Sequence, residues 1–295
     1  MHCKSFAALF SLLLFTPLFA QKVEPTYKQV AYGPHQDMVL NFWKIDSKKP
    51  TPLLVHIHGG GWLGGKKNET TSPNQMRNGH SYASIDYRLA GTELLPAAVH
   101  DAARAIQFLR TKAEEWNIDP KRIAVTGGSA GAASSMWLAY HDDLADPKSK
   151  DPGLRQSSRD CGAIAMGGQT TLDPFLLEKK IGPACFHHPM IWKTVGAESH
   201  EHLMKDWNKY KALSLECSPL THVTEDDPPV WIRYGKPAPV PVIKGDGIHH
   251  AGFGRLLKEK CTKVGIPCHL SVTENEQAEL KSADFLKKVF GQSKQ

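Results

Sequence analysis

The sequence has no strong excess of either charge. Its 36 lysines and arginines against 30 acidic residues leave a net charge of +6 over 295 residues. That surplus is small and dispersed, which excludes the basic footprint of a nucleic-acid binder. The densest basic points, Lys48-Lys49 and Lys66-Lys67, are mere pairs and read as solvated loops. There is no C-x-x-C spacing, so neither a dithiol redox motif nor a common zinc framework is present, and no metal site or cofactor is expected. Beyond Cys3 stand five cysteines, Cys161, Cys185, Cys217, Cys261 and Cys268. An odd count leaves at least one thiol unpaired even where disulfides are permitted. Internal repeats and low-complexity tracts are absent. No apolar run after residues 6–15 approaches the roughly twenty residues of a membrane span, so stable insertion is not expected.

What is there begins with the N-terminus. Lys4, the apolar stretch 6–15 and the small residue closing Leu18-Phe19-Ala20 form the positive, hydrophobic and cleavage regions of a secretory signal. Residues 1–20 are therefore expected to be removed, leaving a secreted or periplasmic chain of residues 21–295. Its net charge would be +5, since Lys4 is the only charged residue lost. A chain of this length buries roughly 75% of its unfolded surface as one domain and needs no staples.

Apolar runs and helical periods alternate along that chain, the signature of a doubly wound α/β fold. Residues 39–45, 52–58, 81–86, 122–126, 162–166, 230–234 and 267–272 read as strands. Residues 96–116 read as a helix, because Ala98, Ala102, Ala105, Ile106 and Leu109 share one face. Further helices are predicted from the residues after Ser129 to about Tyr140, over 253–264 and over 278–290. Residues 142–160 are polar and punctuated by proline and glycine, hence a surface loop. Residues 173–215 carry aromatic anchors without strand alternation, which predicts a helical insertion or lid.

Two glycine motifs carry the chemistry. Gly127-Gly128-Ser129-Ala130-Gly131 fits G-x-S-x-G between a strand and a helix. A serine on so sharp a turn needs glycines two positions either side, so that strand and helix can pass closely. The turn would raise the hydroxyl above the sheet and leave the Ala130 N–H at a helix N-terminus. Upstream, His58-Gly59-Gly60-Gly61-Trp62 follows a buried strand. Its glycines can present the Gly60 and Gly61 N–H groups to the same point as Ala130, forming an oxyanion hole. A phosphate loop is excluded because Gly65-Lys66-Lys67 lacks the hydroxyl residue such a loop ends on.

With His58-Gly59-Gly60-Gly61-Trp62, Asp86-Tyr87-Arg88-Leu89, Pro96-Ala97-Ala98, Asp101-Ala102 and the elbow in hand, the chain resembles the HGGG-type esterase/lipase branch of the α/β-hydrolases, including its feruloyl and acetylxylan esterase-like members. The resemblance implies an α/β-hydrolase fold, with Asp86, Arg88 and Asp101 as scaffold beneath the loops. It also implies a serine esterase acting on carboxylic esters, with acyl groups on polysaccharides as the substrate class and no cofactor. The family places its acid in the loop after the strand ending at Tyr234-Gly235, where this chain reads Lys236-Pro237-Ala238-Pro239-Val240-Pro241 without a carboxylate. Its histidine follows the last strand, and here no histidine lies C-terminal to Thr273.

A base must come from elsewhere, and Asp246-Gly247-Ile248-His249-His250 lies at the same rim of the sheet. His250 or His249 is the expected base and Asp246 its orienting acid; consecutive side chains diverge, so both imidazoles cannot serve Ser129. Without a base the alternative is a catalytically impaired hydrolase-like protein that binds carbohydrate or a partner. His187-His188 and His200-Glu201-His202 read as solvent-facing residues of the insertion, and His222 as loop surface. Asn68-Glu69-Thr70 is a glycosylation sequon.

Overall fold

The computed structural model describes residues 22–76, 78–245, 247–273 and 280–291. The expected signal segment and Asp246 lie outside them. Among the described residues, eight strands form one sheet: β1 (Tyr27–Ala31), β2 (Val39–Trp43), β3 (Thr51–Ile57), β4 (Ser81–Ile85), β5 (Ile118–Gly128), β6 (Ala163–Met166), β7 (Val230–Tyr234) and β8 (Cys268–Val272). Their spatial order is β1-β2-β4-β3-β5-β6-β7-β8. β1 and β2 pair antiparallel at one edge, and the strands from β4 across to β8 are parallel. This is the α/β-hydrolase fold. The central strands are mostly apolar because helices cover both of their faces.

The helices are α1 (Ala97–Thr111), α2 (Ala113–Trp116), α3 (Ala130–Tyr140), α4 (Pro174–Lys180), α5 (Pro189–Trp192), α6 (His200–Lys205), α7 (Trp207–Glu216), α8 (Pro219–His222), α9 (Gly252–Val264) and α10 (Ser282–Gly291). Among the described residues none is long and apolar enough to cross a membrane. The predicted face of α1 is the buried one: Ala98, Ala102, Ala105, Ile106 and Leu109 are all shielded from solvent. Pro96 is its N-cap rather than part of the first turn. All eleven residues of α3 are buried, as expected of a helix packed between the sheet and other helices. The span 173–215 holds α4 to α7 with short 3-10 turns between them.

The structure adds to or changes the sequence reading at three points. β1 was not legible, because Tyr-Lys-Gln-Val-Ala is a polar edge strand with no regular alternation. Lys67 is not solvated: its side chain is 2% exposed, and Nζ lies 3.0 Å from Glu69 and 3.4 Å from Asp86. Burying an ammonium is tolerable there because both carboxylates pair with it. Asn68 is half-buried, and its Nδ2 donates to the Tyr82 hydroxyl at 2.9 Å.

Candidate active site

The carboxyl ends of β3, β5, β6 and β7 converge at one rim, and the loops leaving them build the site. β5 runs into α3 through Ser129, whose φ of 53° and ψ of −123° lie where a non-glycine residue is strained, at a cost of about 1–3 kcal/mol. The flanking glycines make that turn feasible. A Cβ on Gly131 would sit 2.0 Å from the Ile57 carbonyl oxygen, and one on Gly127 would sit 2.4 Å from Gly131 itself. The Ser129 N–H donates to Met166 O at 2.9 Å, tying the elbow to the end of β6.

The loop after β3 folds over the same point. Gly60 and Gly61 adopt φ of 107° and 64°. A Cβ on Gly59 would meet Gly128 O at 2.7 Å and lie 3.5 Å from Ser129 Cβ, so this backbone rests directly on the elbow. Gly60 O accepts the N–H groups of Leu63 and Gly64. The Gly60 and Gly61 N–H groups have no acceptor among the described residues, and Ala130 opens α3, where backbone N–H groups lack helical partners. Trp62 anchors the loop by donating to Ser134 Oγ at 2.9 Å. His58 is also scaffold: it is buried, stacked on Tyr87 at 4.2 Å, and its Nδ1 meets Gly59 O at 2.7 Å. Burial pushes its imidazole below the ordinary value. Beneath it, Asp86 takes the Lys67 N–H, and Asp101 takes three donors from Arg88.

His249 Nε2 lies 2.9 Å from Ser129 Oγ. The other member of the pair does not reach the serine. His250 Nε2 binds Ala238 O at 2.9 Å, and its Nδ1 accepts the Gly252 N–H. His250 therefore fastens the loop where relatives by resemblance keep their acid, and its expected role as base is corrected. The cause is the backbone turn through 247–250, which sends successive side chains to opposite sides.

Sequence reasoning missed what holds His249 in place. Gln169 is fully buried and donates to Ile248 O at 2.7 Å and to Gly167 O at 3.2 Å. The Cys185 thiol donates to Gly247 O at 3.1 Å. A lone glutamine carries no motif, so only the tertiary contact marks it. Cys161, Cys185, Cys217, Cys261 and Cys268 form no disulfide among themselves.

The helical span contributes one wall. A cleft of about 380 Å³ is lined by Ala184, His187, His188, Gly245, Gly247 and Ile248. A Cβ on Gly61 would lie 3.2 Å from Met190 and 3.7 Å from the His188 ring, so this wall adjoins the glycine loop. His200 turns to His187, with ring centroids 4.3 Å apart, whereas His202 turns to Asp206 at 3.1 Å; the two point apart.

A serine on a strained elbow, facing an imidazole and a glycine loop, within this sheet order defines a hydrolase-type site on an α/β-hydrolase fold. The family model described as BD-FAE matches residues 42–244, and the chain belongs to that family. The match stops short of His249. Among curated relatives, a probable carboxylic ester hydrolase, LipM, of Mycobacterium tuberculosis is 27% identical over 204 residues, covering 67% of this chain and 44% of that protein. An arylesterase of Saccharolobus solfataricus is 40% identical over 98 residues, covering 31% of this chain and 32% of that one. The chain thus spans less than half the length of these relatives. A truncated carbohydrate esterase from gut microbiota shares the fold with a TM-score of 0.71 at 18% identity, over 90% of this chain and 96% of that one. An acetyl ester-xyloside bifunctional hydrolase from Caldicellulosiruptor lactoaceticus does so with a TM-score of 0.65 at 20% identity, over 94% and 97%.

Proposed function

We propose that the chain is an exported serine esterase that cleaves carboxylic esters through an acyl-Ser129 intermediate, with acyl groups on polysaccharides as its substrate class. The observation that carries this reading is the 2.9 Å contact between His249 Nε2 and Ser129 Oγ, within the reach a general base requires. As Oγ attacks the ester carbonyl carbon, His249 takes its proton. The resulting oxyanion sits against the N–H groups of Gly60, Gly61 and Ala130. Collapse expels the alcohol, which receives the proton from His249. A water then repeats the sequence and releases the acid, restoring Ser129. Asp246 is the proposed orienting carboxylate.

The polysaccharide class draws support from the names of the carbohydrate-esterase neighbours and from the imidazole-lined cleft beside Gly61. Export draws on the N-terminal pattern of residues 1–20. A hydrolase-like binder without a base has less support, because an imidazole does face the serine.

A fluorophosphonate probe tests the reading. Ser129 should be labelled in the folded protein, and labelling should vanish in Ser129→Ala and fall steeply in His249→Ala. Absence of labelling on a chain with native circular dichroism would overturn it.

A further inference from the structure

At the far end of α3 from Ser129, three side chains that the chemistry above does not use come together. His141 is the C-cap of α3, Glu216 the last residue of α7, and His222 the last of α8. One ligand atom from each lies within 4.8 Å of the others. From sequence His222 reads as loop surface; in the fold it is half-buried, its ring 4.7 Å from that of His141. Eleven helical residues separate this cluster from the serine, a distance of about 17 Å at 1.5 Å per residue.

The hydrogen bonds define which atoms are available. His141 Nδ1 lies 2.8 Å from Asp142 O, and His222 Nε2 lies 2.6 Å from Glu216 O. A carbonyl only accepts, so both of those nitrogens carry protons, which leaves His141 Nε2 and His222 Nδ1 as the lone-pair nitrogens of the neutral rings. In the neutral ring, His141 Nε2 then presents a lone pair to Glu216 Oε1 at 3.1 Å. Two acceptors at that separation require a cation between or beside them, either a second proton on the ring or a metal ion.

The rest of the site fits a metal. Two ligands bound to zinc at about 2.1 Å with a tetrahedral angle lie about 3.4 Å apart, close to the spacing of this pair. The Nδ1–H to carbonyl bond of His141 is the outer-shell contact that orients a ligating imidazole. The C-termini of α3 and α7 add partial negative charge toward a cation. Trp137 holds the geometry: its ring packs 4.2 Å from His141, and Nε1 donates to Glu216 O at 2.8 Å. Arg159 donates to His141 O and is neutralised by Asp226 and Asp227. The side chains of His141 and Glu216 are 16% and 39% exposed, leaving room for a water as fourth ligand.

We propose that His141, Glu216 and His222 form a divalent-cation site suited to zinc, which clamps the end of α3 to α7 and α8. The site is distinct from Ser129 and independent of whether the chain is an esterase.

The test uses the untagged chain, stripped with EDTA and titrated with zinc chloride against a chromophoric chelator. The chain should withhold about one equivalent of zinc, and its melting temperature should rise by roughly 5–10 °C when zinc is at a hundredfold excess over Kd. Glu216→Gln keeps shape and backbone contacts and should weaken zinc at least about tenfold. His222→Ala should abolish the tight equivalent. Cobalt(II) should give a visible ligand-field band that both variants lose. The proposal is overturned if the stripped chain holds no zinc. It is equally overturned if zinc binds with unchanged affinity to the folded Glu216→Gln and His222→Ala chains, because the metal would then sit elsewhere. Should His222→Ala fail to fold, the affinity of Glu216→Gln alone decides.

Discussion

Residues 127–131 and residues 247–250 bring Ser129 and His249 to within 2.9 Å, but the two segments are held by different kinds of force. The elbow is a matter of backbone. Ser129 sits at φ 53° because Gly127 and Gly131 let β5, α3 and β3 approach to distances no Cβ would allow. The segment that bears His249 is a matter of side chains. It is secured by Gln169 on Ile248 O, Cys185 on Gly247 O and His250 on Ala238 O. A backbone solution demands glycine at set positions and is spelled out in sequence. A side-chain solution can be met by different residues on different elements, so a histidine leaving β7 can stand where relatives by resemblance use one leaving β8.

That contrast can be broken most severely at the imidazole. His249→Ala should lower ester turnover by about 10⁶-fold, no less than Ser129→Ala, because the two act as one unit. His250→Ala should lose less than about tenfold, having lost a loop tie and not a base. Steady-state rates on p-nitrophenyl acetate measure both, and similar losses at the two positions would end the assignment of His249.

Next in size is Gly131→Ala, whose methyl would lie 2.0 Å from Ile57 O. We expect about 3 kcal/mol of lost stability from the forced backbone shift, read as a lower urea midpoint. An unchanged midpoint would show that the elbow is not held by backbone packing.

The smallest effect sharpens the other side. Gln169→Leu should reduce kcat by up to about 10²-fold through a misplaced imidazole, with fluorophosphonate labelling of Ser129 slowed and the urea midpoint little changed. A loss confined to KM would mean that Gln169 serves substrate binding instead of positioning His249.

Most of the fold was legible. The strands at 230–234 and 162–166 and the face of α1 announced themselves through apolar period and length. β1 did not, since an edge strand exposes both polar and apolar residues and leaves no period to read. Of the candidate site, Ser129, Gly60, Gly61 and Ala130 were named from glycine spacing alone. His249 and His250 were both named, yet their order of merit was not, because adjacent residues share composition and differ only in direction. Lys67 and His222 looked solvated for a related reason: a charged or imidazole side chain is buried or exposed according to the partners the fold brings to it.

By itself, then, the sequence determined the sheet's succession of elements, the elbow and the glycine loop, because those depend on local backbone sterics and on hydrophobic period. Which imidazole faces Ser129, what fastens its loop, and that His141, Glu216 and His222 meet at the end of α3 were decided only by tertiary structure. Each of these includes a side-chain contact across 75 or more residues of separation, and residue type and local spacing do not encode direction.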